Sequence, residues 1–393
     1  MAHSTEALAD PSILIWARST AGFSIEDAAT RLQTKPEKVL AWEAGQERPS
    51  MAQLRKMAAA YKRLLSDFYL PAAPVEDPLP HDFRRLPGEV ACHYSRALRY
   101  QLRLAHQRHE LALDLAAELE TDIPDISEHL QLGSDIEQAG AELRKLLGVT
   151  LDTQRTWHDP RASYNGWRAA IERRGILVFQ AAGIPTKEML GFTLSGRPLP
   201  VIVVNRKLRP NGRTFTLLHE SVHLFLEQSS ICDIEEDVLR APEEQSTEVF
   251  CNAVAAGALV PFDALLMEPL VRSHPTRPRA WSSDELGALA RGFGVSEEVI
   301  LRRLLTAGRT SQAFYKAKRD LWANLMDDTS PADPDVEIKR NMPREIVSDL
   351  GKQFTRLVVD SYLNSFTSLS DVSRYLGLRA EQVPKVQELL MRE

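Results

Sequence analysis

The sequence predicts a mainly α-helical chain with one small β-sheet: an N-terminal five-helix domain, a central α+β domain and a helical C-terminal region. Three observations predict it. Capped helical patterns fill residues 11 to about 70, five prolines between Pro71 and Pro87 then interrupt all regular structure, and β signal is confined to Ile176–Phe179, Phe192–Leu194 and Val201–Val204. The 393 residues, 44% hydrophobic and 26% charged, are enough for several modules with a sizeable core. The expected division is 1–72, a proline-rich linker over 73–90, a helical region over 91–158, a core domain over 159–312 and a C-terminal helical region over 313–393.

Each element has a local reason. A first helix runs over Ile13, Leu14, Trp16 and Ala17 to the break at Gly22. Ser24 caps a second, with Asp27 placed to reciprocate three residues on; Thr34 and Glu37 repeat the spacing before a third helix through Val39, Leu40 and Trp42. Gly45 can take the left-handed conformation that ends it, and Pro49 and Ser50 open a fourth. Helix, turn, helix with small residues at Ala28, Ala29 and Gly45 outlines a helix-turn-helix domain. Beyond the prolines, Cys92–Glu120 and Ser134–Leu147 read as amphipathic helices. Pro160 begins another, and Gly175 releases the chain into the first strand. Long helices follow over Phe215–Glu227 and Gln245–Leu259. A loop near Thr329–Pro334 precedes C-terminal helices whose apolar faces, with Phe354, Leu357 and Val358, suit packing on the core domain or pairing two chains as a homodimer.

The formal charge of −6 excludes a broadly cationic nucleic-acid binder, although a short segment could still touch DNA. Cys92, Cys232 and Cys251 form no C-x-x-C pair and leave an odd thiol, which suits a reducing compartment. The polar N-terminus shows no leader pattern and no run is long enough to cross a bilayer, so the expectation is a soluble cytoplasmic protein without membrane contact.

The chemistry concentrates in Thr216-Leu217-Leu218-His219-Glu220-Ser221-Val222-His223. Two histidines four apart on a helix face one side, within reach of one metal, and Glu220 projects beside them as a candidate catalytic base. Zinc favours imidazole nitrogen, and a catalytic zinc takes three protein ligands and keeps one place for water. Manganese is also compatible with such a donor set. A third ligand from the following helix would complete it. Glu248 is the candidate, because small residues at Ala253, Ala255 and Ala256 would let its helix approach; Glu243, Glu244 and the acidic run Glu235, Glu236, Asp237 compete, the last three reading as a solvated loop. The strand Val201–Val204, through Val201 and Val203, is the expected binder of an extended substrate by backbone pairing, so a protein substrate is expected. His93, His106, His109, His158 and His274 read as surface or packing residues, and Cys251 as a small apolar residue beside Glu248.

With these residues in view, the chain resembles the ImmA/IrrE family of zinc metallopeptidases, in its long form with an N-terminal Xre-type helix-turn-helix. The resemblance rests on Tyr164-Asn165-Gly166-Trp167-Arg168 leading to Leu177-Val178-Phe179-Gln180, on Arg213-x-Phe215-Thr216-Leu217-Leu218-His219-Glu220-x-x-His223, and on Glu248-x-x-Cys251-Asn252-x-x-Ala255-Ala256-x-x-Leu259-Val260-Pro261. It implies a zincin-like α+β domain, Glu248 as the third zinc ligand, and cleavage of a cytoplasmic transcriptional repressor in a stress or DNA-damage response. At the N-terminus, Trp42-Glu43-x-Gly45 with Pro49, Ser50 and Leu54 resembles the turn after an Xre recognition helix, which implies DNA binding, with Lys35, Lys38 and Arg48 as the candidate contacts. Ile25 stands where many such domains carry a phosphate-contacting glutamine. Residues 1–70 carry nine basic and eight acidic side chains, 9 − 8 = +1. The other function the sequence allows is a DNA-binding regulator whose zinc domain senses without cutting; it would need zinc but not Glu220.

Overall fold

A computed structural model of the chain describes residues 5–74, 81–82, 94–227, 230–232, 242–274, 278–327 and 341–391. Most of the expected 73–90 linker, Cys92, His93, the acidic run 235–237 and the loop at 329–334 lie outside these residues. Among the described residues, 5–74 and 94–107 form one compact unit, and 81–82 and 108–391 a second.

The first unit has α1 (Pro11–Thr20), α2 (Ile25–Leu32), α3 (Pro36–Glu43), α4 (Met51–Tyr61), a 3-10 turn at Leu65–Tyr69 and the first half of α5 (Arg96–Glu118). Four α-helices and a 3-10 turn therefore replace the five helices expected before residue 70. Ser24 caps α2 by accepting from the Asp27 amide, and Ser50 with Gln53 forms a reciprocal capping box on α4. Thr34 does not cap α3. Pro36 forces the residue before it out of helical space, so extended Lys35 takes the N-cap position and Glu37 falls one place short of reciprocating. The core gathers Ile13, Leu14, Val39, Trp42, Leu54 and Phe68. Glu43 accepts a two-pronged pair from Arg18, Nε at 2.7 Å and Nη2 at 2.9 Å, while Arg18 Nη1 donates to the Phe23 carbonyl. Gly45 adopts φ +69°, as the end of α3 requires.

Residues 94–107 belong with the first unit, and α5 from Arg108 onward with the second. There, α6 (Ile136–Leu147), α7 (Leu151–Arg155) and α8 (Pro160–Glu172) lie in the chain between the first and second strands of the sheet, whose strands are β1 (His81–Asp82), β2 (Leu177–Ala181), β3 (Gly191–Leu194), β4 (Val201–Asn205) and β5 (Ser230–Cys232). The strand order is β1-β5-β3-β4-β2. β2 runs parallel to β4 with Leu177 opposite Val201; β3 runs antiparallel to β4, with Gly191 opposite Val204, and to β5, with Gly191 opposite Cys232. Every residue of β2, β3 and β4 is buried, which is why the strands read as apolar runs and not as alternating patterns.

Against the sheet lies α9 (Pro210–Phe225), and α9 packs on α10 (Pro242–Leu259). α10 in turn lies so close to α6 that a Cβ on Gly140 would stand 2.9 Å from the Ala258 amide nitrogen. Its C-terminal carbonyls are held by buried side chains: Arg144 Nη1 donates to Ala258 O at 2.6 Å, and Gln154 Nε2 to Leu259 O at 2.9 Å. These bonds fix where α10 sits along α9. Short helices α11 (Phe262–Met267) and α12 (Pro269–Arg272), then α13 (Ser283–Phe293), α14 (Glu297–Thr306) and α15 (Gln312–Asp327) follow. The C-terminal α16 (Met342–Leu350), α17 (Lys352–Leu363), α18 (Leu369–Leu376) and α19 (Val383–Met391) return to this unit: α16 packs on β2, and Phe354 of α17 meets Phe179 edge-on at 5.5 Å.

The expectation that Val201 and Val203 pair with a substrate is corrected by this topology. Both lie on β4, an interior strand whose two edges are already hydrogen-bonded to β2 and β3. No backbone donors or acceptors remain there for another chain.

Candidate metal centre

The i, i+4 spacing on α9 turns His219 and His223 to one side, where Glu248 on α10 meets them. The Nε2 atoms of the two histidines are 3.1 Å apart; His219 Nε2 lies 3.4 Å from Glu248 Oε2, and His223 Nε2 lies 3.0 Å from Glu248 Oε1. All three residues are buried, and their donor atoms form a cluster able to hold a metal ion.

The donor set fits zinc in kind and in size. With metal–ligand distances of about 2.0–2.1 Å, the edge of a zinc tetrahedron is ~3.3 Å. The Nε2–Nε2 separation of 3.1 Å is close to that value, and the two nitrogens reach different oxygens of the one Glu248 carboxylate, at 3.4 and 3.0 Å. Two imidazole nitrogens 3.1 Å apart also require something positive between their lone pairs, a proton or a metal.

Electrostatics points the same way. Burial alone would depress the His219 pKa, but the Glu248 carboxylate, by charge and hydrogen bond, with Glu220 and Asn252 adding, carries it above the ordinary value. Burial would raise Glu248, yet the two imidazoles hold it well below the usual carboxylate range. The pocket thus keeps an anion facing two imidazoles.

Glu220 is fully buried, adjacent to both ligating positions, and is held from the sheet. Thr193 Oγ1 on β3 donates to Glu220 Oε2 at 2.8 Å. β3 comes this close because residue 191 is glycine: a Cβ there would stand 2.8 Å from Glu220 Oε1 and 2.7 Å from Thr216 Cγ2. Thr193 and Gly191 are site residues that the sequence alone does not single out. The local signal was a threonine and a glycine in an otherwise apolar strand, but their meaning depends on which strand neighbours α9.

Cys251 has a place in the site as well as in the core. Its Sγ lies 3.7 Å from His223 Nδ1, the ring nitrogen turned away from Glu248. A weak acceptor there favours the tautomer with a proton on Nδ1 and a free Nε2. The position was readable, since Cys251 follows Glu248 by three and shares its helix face. Burial, with Glu248 and Glu220 nearby, pushes the thiol pKa well up, so it stays protonated and gains no thiolate reactivity.

The three N-terminal candidates do not form a free cationic surface. Lys38 is ion-paired with Glu47, Arg48 faces Glu6 at 3.9 Å, and Lys35 is exposed at the start of α3. Among the described residues, no helix is long and apolar enough to cross a membrane.

Comparison with curated proteins finds no match. Residues 171–305 match the family model described as the IrrE N-terminal-like domain of the M78 peptidases, a span that runs from the end of α8 into α14 and contains His219, Glu220, His223 and Glu248. About a third of the chain, the part that builds the metal centre, is thereby similar to a metallopeptidase domain.

Proposed function

We propose that this chain is a zinc-dependent endopeptidase that cleaves a cytoplasmic regulatory protein, a transcriptional repressor in a stress or DNA-damage response. His219 and His223, through Nε2, and the Glu248 carboxylate would hold the ion. When bound, zinc supplies Lewis acidity toward a carbonyl and toward water. Glu220 takes a proton from water and returns it to the departing amine, and Thr193 fixes the carboxylate that does so. The reading rests above all on one conjunction: two imidazole nitrogens and a carboxylate gathered within 3.0–3.4 Å of one another, with a second buried carboxylate held beside them from the sheet.

Glu220→Gln should leave the bound metal unchanged and abolish cleavage, whereas His219→Ala and Glu248→Ala should lose both. The assay incubates the purified protein, loaded with zinc or manganese, with candidate transcriptional repressors from the same cell, and looks for fragments. A Glu220→Gln protein that retains the full cellular phenotype would leave only the non-cleaving zinc regulator. An extended substrate would have to pair at an edge strand of the sheet, β1 or β2, since β4 is enclosed. The first unit is proposed to be an Xre-type helix-turn-helix that touches DNA through Lys35, Lys38 and Arg48, and the assembly a homodimer. Unchanged DNA affinity after Lys35→Glu with Lys38→Glu sinks that contact model.

A further inference from the structure

The blocks Tyr164–Arg168 and Arg213 have no part in the proposed chemistry, yet the fold brings them together. They line a cavity of about 910 Å³ bounded by α8, the end of β2, the start of α9, and α16. Its wall is cationic on balance, with Arg161, Arg168, Arg206, Arg213 and Arg344 against the two lining carboxylates Glu172 and Glu345. Their compensation is uneven. Arg168 is bonded to Glu172 at 3.0 Å, and Arg206 to Asp349 at 2.8 Å and Glu345 at 3.1 Å. Arg213 has a neutral partner, Gln180 Oε1 at 2.7 Å, and its buried Nε has no hydrogen-bond partner among the described residues. Asp159, the acid nearest Arg161 in sequence, is held by the α8 cap, accepting from the amides of Arg161 and Ala162.

A second observation points to an occupant. Tyr164 is 3% exposed, lines the cavity, and its hydroxyl has no hydrogen-bond partner among the described residues. A buried hydroxyl left without a partner is costly unless a ligand supplies one. The positive end of the α9 dipole adds its own pull: Pro210 lines the cavity and no acidic residue stands in the first turn. Burial lowers the Arg213 pKa, and Arg161, Arg206 and Arg168 push it the same way, which an anion would relieve.

We infer that this cavity binds a phosphate-bearing small molecule, with Arg213 and Arg161 gripping the phosphate and Tyr164 donating its hydroxyl. Arginine forks match phosphate oxygens in pairs. The volume is that of a small-molecule site and exceeds what one inorganic phosphate fills, so a phosphate ester of nucleotide size is the fitting class. The inference does not depend on the peptidase reading.

The test titrates the full-length metal-loaded protein with AMP, pyrophosphate and inorganic phosphate by calorimetry at fixed ionic strength, and repeats the titration after metal removal. AMP should bind saturably at one site, more tightly than inorganic phosphate, with or without metal. Arg213→Gln should weaken it at least tenfold, and Tyr164→Phe and the exposed Arg161→Gln several-fold, circular dichroism confirming that each variant is folded. Absence of saturable binding by the wild type overturns the inference. So does binding that vanishes with the metal, or that survives both arginine substitutions.

Discussion

Replacing Gly191 by alanine tests whether β3 holds Glu220 in place. Gly191 has no left-handed φ, so in open surroundings alanine would stabilise the strand by about 0.4–1 kcal/mol through the unfolded chain. Here the added methyl would meet Thr216 Cγ2 at 2.7 Å, Glu220 Oε1 at 2.8 Å and Glu220 Cγ at 3.0 Å, separations too short to persist. β3 is paired on both sides and α9 is buried, so neither moves freely. Overpacking of this kind costs about 1–3 kcal/mol. The net loss is then about 1–2 kcal/mol, seen as a fall of a few degrees in Tm. The Glu220 carboxylate, the flexible end of the clash, should swing by several tenths of an ångström, and a displacement near 1 Å costs on the order of 10²-fold in rate. The expected result is cleavage down about 10- to 100-fold with metal stoichiometry unchanged, measured by fragment appearance and elemental mass spectrometry. A variant with full activity and a raised Tm would refute the packing of β3 on Glu220. Loss of the metal with the activity would mean that Gly191 acts on the whole helix and not on this carboxylate.

Thr193→Val, nearly isosteric, removes the bond to Glu220 Oε2, and a bond to a charged group is worth about 1.5–3 kcal/mol; kcat should fall at least tenfold with metal affinity intact, and an unchanged kcat counts against the positioning role. Cys251→Ala frees the Nδ1 side of His223 and should weaken zinc binding about tenfold in a competition titration with a chelator; an unchanged Kd shows that the sulfur contact is incidental. Glu285, bonded to Arg279 and closing the α13 capping box with Ser282, has its pKa lowered to about 2. A depressed carboxylate contributes stability above its unfolded pKa and loses it as pH falls toward the folded one. Glu285→Gln should therefore lower Tm at pH 7, and its gap from the wild type should shrink as pH drops below 4.5; a gap constant from pH 7 to 3 contradicts this.

The histidine pair was legible because helical periodicity is local: spacing alone puts His219 and His223 on one side of α9. Glu248 was less so. The register of α10 against α9 is set by contacts far away in sequence, such as Gly140 against Ala258 and Arg144 on the α10 carbonyls. Thr193 was illegible because its partner is decided by strand order, and the order here, β1-β5-β3-β4-β2, puts no strand beside its sequence predecessor except β3 and β4. The misreading of Val201 and Val203 has an instructive cause. Val201-Ile202-Val203-Val204 contains no polar alternation, and a strand apolar on both faces is one enclosed by neighbours, hence the least able to accept a substrate.

The N-terminal signature divides in a related way between architecture and function. Trp42 is 1% exposed in the core, Glu43 holds Arg18 through two bonds, and Gly45 ends α3 at positive φ. Each of these residues keeps helices at their angles, and none is free to touch a phosphate. A match to Trp42-Glu43-x-Gly45 therefore speaks to the shape of the unit, whereas DNA affinity must come from exposed cations that the signature does not contain. Of those, Lys38 would have to leave Glu47 and Arg48 would have to turn from Glu6. Exposed pairs are worth only about 0–1 kcal/mol, so the exchange for a phosphate is not prohibitive. The carboxylates nevertheless remain beside the contact and repel the phosphate. Any affinity of this unit for DNA would consequently be decided by how many acidic side chains a docked surface kept, a property to which the motif is blind.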